Sequence, residues 1–124
     1  MERVIQFMRD RKVAYEKADK TAWGMHVAEK CVFVEDGGRV SVAAEFAEME
    51  GFVGYTMSTE ISDVRASDFG ETIFLTYRQK ETRDFGVQRS VGTYVGTETY
   101  ARVKGEWRLV LFTETRAVPE AAIV

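Results

Sequence analysis

Residues 92–117, GTYVGTETYARVKGEWRLVLFTETRA, constrain the fold more than any other stretch of the chain. Two alternating runs flank Lys104-Gly105, and a glycine free to take positive φ between such runs signals a tight β-hairpin. On the first arm Val95, Thr97, Thr99, Ala101 and Val103 share one face. Tyr94, Gly96, Glu98, Tyr100 and Arg102 share the other. A two-residue loop sets Arg102 opposite Trp107 and Tyr100 opposite Leu109. Regular pairing beyond that point sets Thr99 opposite Val110, Thr97 opposite Phe112 and Val95 opposite Glu114. One face then reads as small and apolar with a carboxylate near its far end, the other as bulky and aromatic. A bulge in the turn would exchange the faces of the second arm. The face with Tyr94, Tyr100 and Trp107 calls for a cover of helices or of a second subunit, because open sheets seldom present such a cluster to water.

The rest of the 124-residue chain suits one domain around one core. Residues 2–18 read as a helix with Val4, Ile5, Met8, Tyr15 and Ala18 on one stripe, interrupted by RDRK at 9–12. Asp19 is placed to cap a second helix running to about Lys30, with Trp23 and His26 on it. CVFVED at 31–36 reads as a short strand stopped by Gly37-Gly38. Ser41 caps a third helix through Glu50, with Val42, Phe46 and Met49 as its apolar stripe and Gly51 at its end. Four strands follow at 55–66, 71–81, 87–103 and 107–117, separated by Asp68-Phe69-Gly70 and by Arg83-Asp84-Phe85-Gly86. The domain spans 1–117, and residues 118–124, which include the only proline, are expected to form a mobile tail. Helices first and consecutive strands after is an α+β order. A curved, mainly antiparallel sheet with helices on one face encloses a cone whose wide end is a natural pocket.

Charge and cysteine usage narrow the function classes. The net charge is −3 and Lys and Arg are scattered, so neither nucleic acid nor an anionic membrane is expected as a partner. Cys31 is the only cysteine, which excludes an intrachain disulfide and fits a reducing, cytoplasmic setting. No apolar run is long enough to span a bilayer. One histidine and one cysteine cannot assemble a zinc ligand set, and no D-x-D-type spacing supports magnesium, so neither a metal nor a cofactor is expected. Gly92 and Gly96 fall within a strand and so mark a bend or bulge, not a phosphate loop. His26 reads as a helix-face residue and Cys31 as a small apolar residue in a strand.

Four pieces carry a family resemblance: the charged first helix followed by a short helix with Trp23; VFVEDGGRVSVAAEFAEM; SDVRASDFGETIFLTYR; and TYARVKGEWRLVLFTET. With this element order the chain resembles the nuclear transport factor 2-like superfamily, whose fold is the cystatin-like cone. Within it, the chain looks most like the SnoaL-like and ketosteroid isomerase-like small bacterial domains of unknown function. The resemblance implies N-terminal helices packed on a strongly curved sheet. It implies Asp36, in Val34-Glu35-Asp36, as the proton-moving acid, and Tyr15 on the first helix as a hydroxyl donor. The position of the family's oxyanion-hole acid falls on Thr99, a departure. The pocket is expected to take in Trp23 and Glu114 and to be walled by Val95, Thr97, Thr99, Val110 and Phe112. A carboxylate in such apolar surroundings loses hydration and its pKa rises. Two readings of function follow. One is a small-molecule-binding domain with an apolar cone pocket for an apolar, polyketide-like or steroid-like ligand, whose sharpest form is a cofactor-free isomerase, dehydratase or cyclase. The other is a non-catalytic, dimeric interaction or scaffold module with a vestigial pocket, in which Asp36 is a turn residue. A homodimer is expected in either case.

Overall fold

The computed structural model describes residues 1–51 and 56–117. The expected tail at 118–124, and Tyr55 at the start of an expected strand, lie outside the described residues. The elements in order are α1 (Glu2–Glu16), α2 (Lys20–Gly24), β1 (Val27–Glu35), β2 (Gly38–Val40), α3 (Val42–Glu50), β3 (Thr56–Asp68), β4 (Thr72–Asp84), β5 (Arg89–Val103) and β6 (Glu106–Arg116). All six strands join one sheet in the order β2-β1-β6-β5-β4-β3. Every pairing is antiparallel except β1 with β6, which is parallel. This is the expected α+β architecture, with the helices packed on a curled sheet.

Strand β4 shows how the sheet acquires an inside and an outside. Ile73, Leu75, Tyr77, Gln79 and Glu81 are buried, while Phe74, Thr76, Arg78 and Lys80 between them are exposed. Period-two alternation therefore sends one set under the helices and the other to the convex face. The core on the inner side joins Val4 and Met8 of α1, Trp23 of α2, Phe33 of β1, Met49 of α3 and the inward residues Ile73, Leu75, Tyr77, Tyr100, Leu109 and Phe112 of the sheet. Gly96, opposite Tyr77 in the register, gives the tyrosine ring its seat: a Cβ there would stand 2.5 Å from ring atoms.

The hairpin turns where expected. Lys104 (φ 53°) and Gly105 (φ 81°) both adopt left-handed conformations, the requirement of a two-residue turn whose twist matches the strands. Arg102 faces Trp107 and Tyr100 faces Leu109, as expected. The register then shifts between Thr99 and Tyr100, with Val110 as the extra residue on β6. Thr99 consequently faces Leu111, Thr97 faces Thr113 and Val95 faces Thr115, which corrects the three pairings expected beyond that point. The bulge lies within the strand, not in the turn. It delivers Phe112 and Glu114 to the inner face beside Glu98 and Gly96.

The second helix is also shorter than its sequence suggests. Asp19 does cap it, its side chain accepting from Ala22 N at 3.1 Å, but it ends at Gly24. Residues 27–30, expected to be helical, begin β1 instead. Val27 pairs with Leu109, and His26 O accepts from Leu109 N at 2.8 Å. Ladder bonds to a buried strand outweigh the weak helix preference of a short polar segment. Among the described residues no helix is long and apolar enough to cross a membrane.

Candidate functional site

The floor of the cone is a buried polar network. Glu98 on β5 is fully buried, and Arg11 on α1 is only 6% exposed. Arg11 Nη2 donates to Glu98 Oε2, and the Tyr77 hydroxyl donates to the same oxygen. Tyr100 donates to Oε1 at 2.7 Å and accepts from Arg11 Nη1 at 2.9 Å. Burial pushes Glu98 upward, but Arg11, Lys12 and the hydrogen bonds outweigh it and leave the carboxyl below its usual range. Glu98 thus stays ionised. It sits one residue before Thr99, the position to which the resemblance assigns the oxyanion-hole acid, and on the opposite, inner face of β5. An ionised carboxylate cannot donate a hydrogen bond, so the oxyanion-hole role is unfilled there.

Above this floor lies a cavity of about 200 Å³. Tyr15, Trp23, Asp36, Phe112 and Glu114, all expected pocket residues, line it. Val95, Thr97, Thr99 and Val110 do not. The pairing of β5 with β4 turns the first three to the convex face and Val110 is the bulge residue, so the expected wall is corrected. The lining also departs from the expected apolar character. Six carboxylates (Glu35, Asp36, Glu45, Glu48, Glu81, Glu114) and three cations (Arg11, Lys12, Arg83) face it, against the rings of Trp23, Phe33, Tyr15, Tyr94 and Phe112.

Asp36 stands at the mouth, exposed, with a left-handed φ of 49°, in the turn between β1 and β2. Its amide donates to Glu114 O at 3.1 Å, extending the parallel ladder and setting the two acids side by side. The burial expected for Asp36 falls on its neighbours instead. Glu114 is pushed up to about 7 by desolvation, which the nearby Lys12 only partly opposes. Glu45 is 4% exposed, and desolvation, then a hydrogen bond with Glu35 and repulsion from Glu35, Glu48 and Glu114, push it up to about 9. Its Oε1 has no hydrogen-bond partner among the described residues. Glu45 and Glu48 lie three apart on one face of α3, and with Glu35 they offer oxygens within 4.8 Å of one another. This is the one cluster among the described residues able to gather a hard cation, and a shared proton relieves the same repulsion. Arg83 bridges Glu81 at 2.6 Å and Glu48 at 3.1 Å. The Tyr15 phenol is raised by burial and by its hydrogen bond to Glu48, so it remains a donor.

Two candidates lie elsewhere. His26 stacks on Phe7, with centroids 3.6 Å apart, and lines a separate hollow with Met25 and Val27. Burial, Arg108 and Arg3 depress its pKa. Cys31 is pushed up to about 12 by burial, which keeps its thiol protonated and unreactive. Conversely, the sequence reading passed over Arg11, Lys12, Glu45, Glu81 and Glu98. A signal for the first two was present, since they stand three and four residues after Met8 and fall on its helical stripe.

No protein-family model matches the chain, and no curated protein matches it in sequence. Solved structures do resemble it. A provisionally named dehydratase of the NTF2-like family from Streptomyces avermitilis is 16% identical, with a TM-score of 0.82 over 95% of this chain and 96% of that one. An NTF2-like protein from Cytophaga hutchinsonii is 11% identical, with a TM-score of 0.80 over 94% and 97%. A provisionally named scytalone dehydratase from Novosphingobium aromaticivorans is 13% identical, with a TM-score of 0.74 over 93% and 82%. At these identities the likeness is one of fold.

The raised carboxyls make stability depend on pH. The folded protein keeps protons on Glu114 and Glu45 that the unfolded chain releases near 4.5, so their contribution is complete below that value and falls as pH rises. The Glu114 part is lost through about 7 and the Glu45 part through about 9. Lys12, whose pKa is lowered, acts with the opposite sign below 10.5, so the acid effect is read as a difference between two proteins. In urea melts, Glu45→Gln is expected to match the wild type near pH 5 and to exceed it by about 1–3 kcal/mol at pH 9. A difference that does not change with pH would contradict the burial of Glu45.

Proposed function

We propose, on the premise of the nuclear transport factor 2-like cone that this chain forms, that the wide-end cavity binds a small polar organic molecule and moves a proton on it without a cofactor, as isomerases and dehydratases do. The observation that carries this reading is the convergence of Asp36, Glu114 and Tyr15 on one cavity that Lys12 also lines. Glu114, with both protonation states populated near neutral pH, suits a general acid–base. Asp36 at the mouth acts as the second carboxylate, and Tyr15 supplies a hydroxyl donor. The volume of about 200 Å³ lies below the roughly 300–1,000 Å³ of drug-sized sites. Size and charge together therefore favour a small oxygenated substrate over a polycyclic apolar one. That two proteins of the same fold carry provisional dehydratase names is in keeping with this class of chemistry.

Exchange of enolisable C–H protons into deuterium oxide, followed by proton NMR over a panel of small hydroxyketones and oxoacids, tests the reading. Catalysed exchange is expected for at least one compound, slowed about 10²–10⁴-fold by Glu114→Gln or Asp36→Asn. Compounds that quench Trp23 yet never exchange would leave a binding module whose pocket performs no chemistry.

We further infer that a second copy covers the convex face. Val32, Val34, Thr97, Thr99, Leu111 and Thr113 form a half-buried strip there, edged by Val95 and Phe74 at 39% and 40% exposure. Thr99 Oγ1 is buried in it with no hydrogen-bond partner among the described residues. Sedimentation is expected to give a dimer at micromolar concentration that Thr97→Arg dissociates, and a concentration-independent monomer would overturn the assignment.

A further inference from the structure

We propose that Lys12 is a covalent attachment point in the cone pocket, forming a Schiff base with a small aldehyde or ketone. This inference rests on the ligand-binding reading above and names the substrate class of the same site.

Lys12 lies four residues after Met8 and three before Tyr15, so helical geometry turns it toward the sheet. It is 8% exposed and lines the cavity. Its Nζ stands 4.8 Å from the centroid of Phe112 and 5.2 Å from that of Tyr77. It makes no ion pair among the described residues, in contrast to its neighbour Arg11. The acid nearest in role, Glu98, has its oxygens taken by Arg11, Tyr77 and Tyr100. Glu81 is engaged by Arg83. The charged groups acting on the amine are Glu98 from β5, Glu114 from β6, Glu81 from β4 and Arg11 from its own helix. Desolvation exceeds the pull of the three carboxylates, and Arg11 adds to it, so the ammonium form is disfavoured. A lysine desolvated beside a second cation is an activated amine nucleophile.

The reaction balances with groups already in the cavity. The Nζ lone pair attacks the carbonyl carbon while the C=O π pair moves to oxygen, giving a carbinolamine after proton transfer. The protonated Glu114 carboxyl gives a proton to the departing hydroxyl. Water leaves, the nitrogen lone pair closes the C=N bond, and Glu114 is left as the carboxylate. The product is an iminium ion over two aromatic faces and among three acids, which favour positive charge at that point. It is less dependent on hydration than the ammonium it replaces. The same iminium acidifies the adjacent C–H, which is the proton that the carboxyls are placed to remove.

The test is reductive trapping on the wild-type chain. Protein at pH 7 is mixed with butanal or butanone, pulsed with borohydride, and mapped by peptide mass. The expected result is a reduced adduct on Lys12 in about tenfold or greater excess over any exposed lysine such as Lys17 or Lys80, as a larger free-amine fraction dictates. Lys12→Arg should lose that adduct while the exposed sites are labelled as before. Butanamide, which matches the ligand in size but forms no Schiff base, is followed in parallel through Trp23 fluorescence. Butanamide binding with Lys12 unlabelled overturns the covalent role and leaves the binding reading standing. Failure of both overturns the two together. Even labelling of all lysines overturns the activation of Lys12.

Discussion

The buried pair of Arg11 and Glu98 is the contact on which the site depends. It ties the middle of α1 to the centre of the sheet at the strand that carries the cone's floor. Two buried charges are costly to desolvate, and the pair is tolerable because both tyrosine hydroxyls complete its hydrogen bonds. Losing either partner would strand a charge in the core, typically a loss of about 3–5 kcal/mol. The pair also fixes which residues face the cavity, since anchoring Arg11 turns Lys12 and Tyr15 toward it. Glu98 spends its charge on Arg11, so Lys12 stands in an aromatic, poorly hydrated cleft with no ion-pair partner of its own among the described residues.

At the wide end the opposite imbalance holds. Carboxyls from β1, α3, β4 and β6 outnumber the cations that reach them, and burial prevents all of them from ionising together. The cavity thus holds an amine whose pKa burial lowers and buried carboxyls whose pKa burial raises. Both departures have one cause, loss of water, which acts on bases and acids with opposite sign. Glu114, pushed up to about 7, exchanges protons near neutral pH, which ordinary surface glutamates do not.

Much of the fold was legible in the sequence. The Lys104-Gly105 turn, the caps Asp19 and Ser41 and the succession of three helices and the longer strands follow local rules, and the structure realises each, adding only the short β2. What escaped was non-local. The bulge at Val110 has no marker in its own residues, and it turns Phe112 and Glu114 inward beside Glu98 and Gly96, while the pairing of β5 with β4 sets Thr97 and Thr99 outside. The early start of β1 depends on parallel pairing with β6, some eighty residues away. Asp36, Tyr15, Trp23 and Glu114, expected from motif, resemblance and hairpin register, line the cavity. Arg11, Lys12 and Glu98 were missed because charged residues are ordinarily surface residues. Only their helical and strand phase, shared with Met8 and Tyr100, marked them as inward.

The account turns on the state of the Lys12 amine. Selective NMR observation of the lysine side-chain nitrogens across a pH series, with Lys12 assigned by its absence in Lys12→Arg, measures it directly. The structure requires Lys12 to titrate below the 10.5 of an ordinary lysine, and below the exposed lysines of the same chain. A value at or above theirs would mean that Glu98, Glu114 and Glu81 together hold the ammonium. Lys12 would then be a buried counter-ion, not a reactive group.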